Sequence, residues 1–389
     1  MAFSFTPEMI FVLELAVFWI ALYVIARVFH LNNHGLDVKP AYFMYKSKGL
    51  NSFLDNSAKR WRSGWKMLSN IGIAFSIGLL VFSIYTLANN LLRFLFPIGE
   101  AAPVFPVIIG LTIRLYWLPY FFVAVSIAAL THELAHGIVA RLENIPVLST
   151  GVFAIVVLFG AFVEPDEKEF EKSSLLARLR MLSAGSSTNL VTGLLVFLLM
   201  ISLFAPPAGV LIYDVTPNGP LANSGLPVQR WDVIQAINGT DVFTYDQYSD
   251  YMKNIGPDVT LTLTILHTNQ PQNITVVTVP HPSNSTRGRI GFEAGFVPVY
   301  YPSRLGLDQY VDVNLYLMLF WIWLLALTLA IFNMFPLYPF DGERVLYYPL
   351  ERLVKKRKRE LRVALNVISL GVLAFNMILT FWNFGLLSI

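Results

Sequence analysis

The sequence predicts a polytopic α-helical membrane protein, with about six transmembrane helices and a β-rich soluble insert. Three observations predict it. Of 389 residues, 55% are hydrophobic and only 14% charged, where a soluble globular chain carries about a quarter charged. The missing charge is concentrated, because several windows of about 20 residues, the length that crosses a bilayer core, hold almost none. Residues 205–310 then break the pattern with alternating strand-like runs. A net charge of +3 on so apolar a chain gives no argument for a nucleic-acid partner. The absence of cysteine excludes disulfides, thiolate metal sites and a cysteine nucleophile, and leaves the redox compartment open.

The first span, Met9–Val28, has no basic residue before it, whereas Arg27 and a basic loop follow. It reads as an uncleaved anchor with its N-terminus outside, since a signal peptide is positive in front. Further spans are expected at 68–87, 116–140, 184–204, 314–335 and 363–384. Segments 27–66, 141–180 and 343–362 hold 21 of the 28 Lys and Arg residues. The positive-inside rule places those segments in the cytoplasm, and both termini and the insert outside. A cell membrane is the expected location. The expected division is an N-terminal helix pair over 1–110, a membrane core over 111–204, the extracytoplasmic insert over 205–310 and a C-terminal membrane part over 311–389.

Residues 151–163 are too short for a normal span and rich in Val, Ile, Phe and Ala. A re-entrant or interfacial hairpin and a tilted partial helix are equally compatible with them. In the insert, runs at 210–215 and 261–266 alternate as half-buried strands do, with turn signals at Pro217-Asn-Gly-Pro220 and Asn238-Gly239. Sequons at Asn238, Asn273 and Asn284 fit an exterior position, although an Asn/Thr-rich segment produces them by chance.

The third span carries Thr131-His132-Glu133-Leu134-Ala135-His136-Gly137. Histidines at i and i+4 share one face of a helix and can bind one metal ion, and the intervening Glu133 can take a proton from an attacking water. The plain alternative is a histidine pair packed between helices, but polar groups inside a span carry a desolvation cost and mark function. A hydrolytic zinc takes three protein ligands. Asp341, in Asn333-Met-Phe-Pro336-Leu-Tyr-Pro339-Phe-Asp341-Gly342 at the end of the fifth span, is the candidate third.

These motifs together resemble the site-2 protease family of intramembrane zinc metalloproteases. HExxH at His132 to His136, a GxxxN motif at Gly185-Ser-Ser-Thr-Asn189 and N-x-x-P-x-x-P-x-D-G at Asn333 to Gly342 follow in the family's order. The insert, with Trp231-Asp-Val-Ile-Gln-Ala-Ile-Asn-Gly239, is similar to the PDZ domains that members carry between the last two motifs. The likeness covers about residues 115–350; Met334 and Phe340 are not the commonest family choices and Glu343 follows the Asp-Gly, departures that touch no proposed ligand.

The resemblance implies one zinc ion per chain on His132, His136 and Asp341, with Glu133 as general base and then acid. It implies Asn333 as amide donor to the substrate backbone or its oxyanion. Asn189 would line the same cavity or make a helix–helix hydrogen bond. In relatives the region of 151–163 offers a strand edge, and on that basis a proline at Val156 is expected to impair cleavage but not zinc binding. A PDZ-like insert implies capture of a peptide or C-terminus, expected by strand addition near 209–214.

The expected function is cleavage of a transmembrane segment of a membrane-anchored regulatory protein within the bilayer, releasing a cytoplasmic product. A non-catalytic, metal-binding PDZ-containing membrane scaffold is the alternative, and the intact Glu133 argues against it. A transporter is a weaker third, as no inverted hydropathy repeat is evident. No GxGD or Ser–His arrangement lies within the spans, which disfavours aspartyl and serine mechanisms. His30 and His34 share the i, i+4 spacing but have no acid in the pattern, and Lys355-Lys-Arg-Lys-Arg359 reads as a topology anchor and anionic-lipid contact.

Overall fold

The structure, a computed structural model, describes residues 7–31, 35–96, 98–354 and 357–385. It divides into two compact units, one of residues up to 194 together with 322–388, the other of 195–321. Among the described residues, six helices are long and apolar enough to cross a membrane. They are α1 (Pro7–Val28), α3 (Arg62–Leu95), α4 (Leu118–Leu142), α6 (Leu175–Leu203), α8 (Gln309–Asn333) and α10 (Lys358–Phe384). The shorter helices are α2 (Asn51–Arg60), α5 (Glu167–Lys172), α7 (Tyr245–Met252) and α9 (Asp341–Glu351).

Two of the spans outrun their apolar windows, α3 at 34 residues and α6 at 29. Hydropathy marks the part of a helix that meets lipid, while the helix continues as long as helix formers and partners continue. At the start of α6, Arg180 pairs with Glu143 at 2.9 Å and Arg178 lies 4.5 Å over the Tyr348 ring, so both cations are accommodated inside the helix.

The segment 151–163 is a hairpin. β3 (Val147–Ile155) and β4 (Leu158–Pro165) pair antiparallel, and the hairpin of β1 (Leu36–Lys39) and β2 (Tyr42–Ser47) extends them into a sheet of order β1-β2-β3-β4. The first hairpin lies in the basic loop after α1, where strands of four and six residues are too short to stand out in a hydropathy window. Val156 forms the tight turn with φ 55, a left-handed conformation that is costly for a β-branched residue. Its N–H donates to Ala41 O at 2.9 Å, and Trp19 Nε1 of α1 donates to Val156 O at 3.0 Å. Val156 is therefore a turn residue, and a proline there would break the turn rather than block an edge. The sheet ends on β1 and on β4, and β4 is the end strand that runs beside α4.

The second unit is built on β5 (Val210–Leu211), β7 (Val233–Ile237), β9 (Thr260–His267) and β10 (Gln270–Val277) in the order β10-β9-β7-β5, with β8 (Thr240–Asp241) on β7. Two small ribbons join β6 (Asp214–Val215) to β13 (Phe292–Glu293) and β11 (Val279–His281) to β12 (Asn284–Arg289). Leu261, Leu263 and Ile265 alternate inward along β9 and close a core with Val210, Ile212, Ile234 and Ile237. The capping box of Thr244 and Gln247 starts α7. The edge expected to be open near 209–214 is occupied on both sides. Val210 pairs with Ile234 of β7, while Tyr300 N donates to Gly209 O, Leu211 N to Pro298 O and Tyr213 N to Glu293 O. No ligand strand can add there, because the backbone groups are already bonded.

Candidate active site

One turn of α4 separates His132 from His136 and brings their Nε2 atoms to 3.0 Å. Asp341, the first residue of α9, puts Oδ2 at 3.2 Å from His132 Nε2 and 3.1 Å from His136 Nε2. Two glycines make the meeting possible. A Cβ on Gly185 of α6 would lie 2.4 Å from His136 Nε2 and 2.5 Å from His132 Nε2, so no other residue lets α6 pass so close. A Cβ on Gly342 would lie 2.1 Å from Met334 O, so the loop after α8 folds back onto its own start only with glycine beside Asp341.

The protonation pattern suits a cation. His136 Nδ1 is 2.7 Å from Met181 O, a carbonyl that can only accept, so the proton sits on Nδ1 and the Nε2 lone pair faces the centre. His132 Nδ1 lies 3.4 Å from the Asn189 amide, which also contacts Thr131 Oγ1 at 3.2 Å. The amide nitrogen faces His132 Nδ1 and the amide oxygen accepts from the threonine hydroxyl; a metal on His132 Nε2 calls for the amide reversed, so that Nδ1–H donates to its oxygen. Both Nε2 atoms then face the Asp341 carboxylate as acceptors, and three acceptors within 4.8 Å repel one another until a cation joins them. Two imidazole nitrogens and one carboxylate oxygen are a donor set of hydrolytic zinc, whose tetrahedral ligands at about 2.0–2.2 Å from the metal lie about 3.3 Å apart.

Glu133 turns from the histidines toward the sheet, and its Oε2 accepts the Val163 N–H of β4 at 2.9 Å. A cavity of about 520 Å³ is lined by His132, Glu133, His136, Asn189, Asn333 and Asp341. All six residues expected from the sequence therefore meet at one place. Asn189 is buried between α4 and α6, and both alternatives for it hold, since it lines the cavity and bonds across the helices. Asn333 ends α8 at the cavity wall.

Sequence reasoning missed the Met181 carbonyl and the Val163 amide, because backbone groups carry no residue signature. It also missed Arg344, on the same wall and paired with Glu167 at 3.2 Å. His30 is exposed and His34 lies outside the described residues, as do Lys355 and Lys356 of the basic run.

An uncharacterized protein of Methanocaldococcus jannaschii is 27% identical over 295 residues, covering 76% of this chain and 74% of the relative. The zinc metalloproteases RasP of Geobacillus kaustophilus and Oceanobacillus iheyensis are 23% and 24% identical, each match covering 57% of this chain and 62% of the relative. Among solved structures, the PDZ domain of an SdrC-like protein from Listeria innocua aligns with 22% of this chain and 91% of its own, at 20% identity and a TM-score of 0.20. The model of peptidase family M50 matches residues 120–378, a span that holds both histidines, Glu133 and Asp341. The chain is a membrane-embedded member of peptidase family M50, the site-2 protease family whose motifs it carries.

Proposed function

We propose that this chain is an intramembrane zinc metalloendopeptidase. It cleaves transmembrane segments of membrane-anchored regulatory proteins and releases a cytoplasmic product, as regulated intramembrane proteolysis requires. The observation that carries the reading is the convergence of His132, His136 and Asp341 within 4.8 Å, with Glu133 on the wall of the same cavity. A zinc ion held by those three residues, one per chain, supplies Lewis-acid polarisation of the scissile carbonyl and a water acidic enough to attack at neutral pH.

The chain's own residues supply the rest. With Oε2 held by Val163, the other oxygen of Glu133 is left to take the proton of the attacking water and pass it to the departing amide nitrogen. Asn333 donates its amide to the oxygen that gains charge. Asn189 holds the His132 ring and its tautomer.

A substrate helix hides its peptide bonds in its own ladder and must unwind to be cut. The β4 edge offers replacement bonds. Side groups along a strand alternate with period two, so the backbone of Ala161 points outward as that of Val163 does toward Glu133. In the insert, a peptide or C-terminus would enter the groove of about 160 Å³ between α7 and residues 287–292, rather than the closed edge at 209–214. Arg289 Nε is buried there with no hydrogen-bond partner among the described residues, as a site for a carboxylate would leave it. Both termini and the insert are placed outside a cell membrane.

The deciding experiment compares detergent-purified wild type with Glu133→Gln for bound metal and for cleavage of a panel of transmembrane substrates. The expected result is one zinc in each, with cleavage lowered in the variant by about 10²–10⁴-fold or more. Zinc in neither, even on addition, sinks the reading. Zinc in both with equal cleavage removes Glu133 from the chemistry.

A further inference from the structure

Beside Asp341 lies a charge pair, a buried carboxylate met by a partly exposed arginine, that no step above uses. Glu343, two residues on, is 0% exposed. Its carboxylate accepts a forked pair of bonds from Arg362 of α10, 2.6 Å from Nε to Oε1 and 2.9 Å from the terminal nitrogen to Oε2. One turn further along α10, Asn366 Nδ2 donates to Glu343 Oε1 at 3.4 Å, and Asn366 Oδ1 accepts the Tyr338 N–H at 2.7 Å. Arg362 also lies 5.2 Å over the ring of Tyr347 in α9. Helix α10 thus grips the chain three residues before Asp341 and two residues after it. Between the grips, Gly342 is packed against Met334 O so tightly that a Cβ there would stand 2.1 Å away, so little slack remains.

We infer that Glu343, Arg362 and Asn366 form a brace through which α10 holds Asp341 against His132 and His136. The inference rests on the zinc-centre reading above and adds positioning residues to it. The physical need is an asymmetry among the ligands. His132 and His136 are aligned by one turn of one helix, whereas Asp341 arrives on a separate loop whose place depends on whatever holds it. A guanidinium–carboxylate fork sets orientation as well as distance, which a single hydrogen bond or a point charge does not. Arg362 and Asn366 lie outside every ligand motif, on a helix that the motifs do not reach.

The test uses the full chain. Because it contains no cysteine, Tyr338→Cys, at a side chain 65% exposed, takes a single spin label whose mobility is read in protein stripped of metal. Arg362→Gln is expected to mobilise the label and to weaken zinc binding about 10–100-fold in chelator competition, the usual effect of losing a ligand-supporting group. Arg362→Lys keeps the charge without the fork and should recover little of either. Arg359→Gln, an exposed neighbour on α10, should change neither.

Arg362→Gln leaves Glu343 buried without its partner and can unfold the protein for that reason alone. The pair Glu343→Met with Arg362→Met removes both charges. It should melt near wild type while the label stays mobile and zinc stays weak. An immobile label with wild-type zinc affinity in that double variant overturns the brace. A wild type that takes up no zinc overturns the metal-centre reading instead, while the label in stripped protein still judges the brace.

Discussion

Gly185 is the position where one added methyl group tests the centre without removing a ligand. Its Cβ would meet both imidazoles at 2.4–2.5 Å, and neither ring can swing aside while its Nδ1 stays bonded. Gly185→Ala should therefore lower zinc affinity at least about tenfold, equivalent to about 1.4 kcal/mol, in a protein that still folds. Chelator competition on the purified variant measures it, and unchanged affinity would show that α6 has room to retreat. At this scale the sequence was informative about side chains and silent about backbone. His132, Glu133 and His136 are legible because helical spacing is local. The Met181 carbonyl that orients His136 has no signature of its own, since any residue at 181 presents the same oxygen.

Among the elements, β4 joins the fold to the chemistry. Its inner side bonds β3 and its outer side meets Glu133, so a substitution can address one without the other. In Ala161→Pro the missing N–H is an outward one and the β3 ladder keeps its bonds. Cleavage should fall about tenfold or more by loss of one or two substrate bonds of about 1 kcal/mol each, with zinc content unchanged. Full activity in this variant would exclude strand addition along β4. Val156→Pro is a poorer test, because the positive φ and the bonds to Ala41 and Trp19 make that residue part of the turn. The composition of 151–163 pointed to β structure but not to which strand would be the edge. That depends on β1 and β2, which lie more than 100 residues earlier in the chain.

For the whole molecule, the charge distribution makes a prediction about sidedness. In intact cells a membrane-impermeant maleimide should label Ser283→Cys in the insert and spare Lys168→Cys until the membrane is opened. Both side chains are exposed, and the absence of native cysteine keeps the background low. The reverse pattern would invert the orientation and move the product to the other side.

What the sequence determined by itself is what short-range rules determine. The spans follow from apolar length, the β-rich insert from alternation, and the histidine pair from helical period. Tertiary structure alone decided how far α3 and α6 extend, which strands end the sheet and that the edge at 209–214 is closed. It also decided that Asp341 is held from both sides by α10. Each of these depends on partners distant in sequence, whose contacts are set by packing and by the demand that buried polar groups find bonds, and a linear pattern encodes neither.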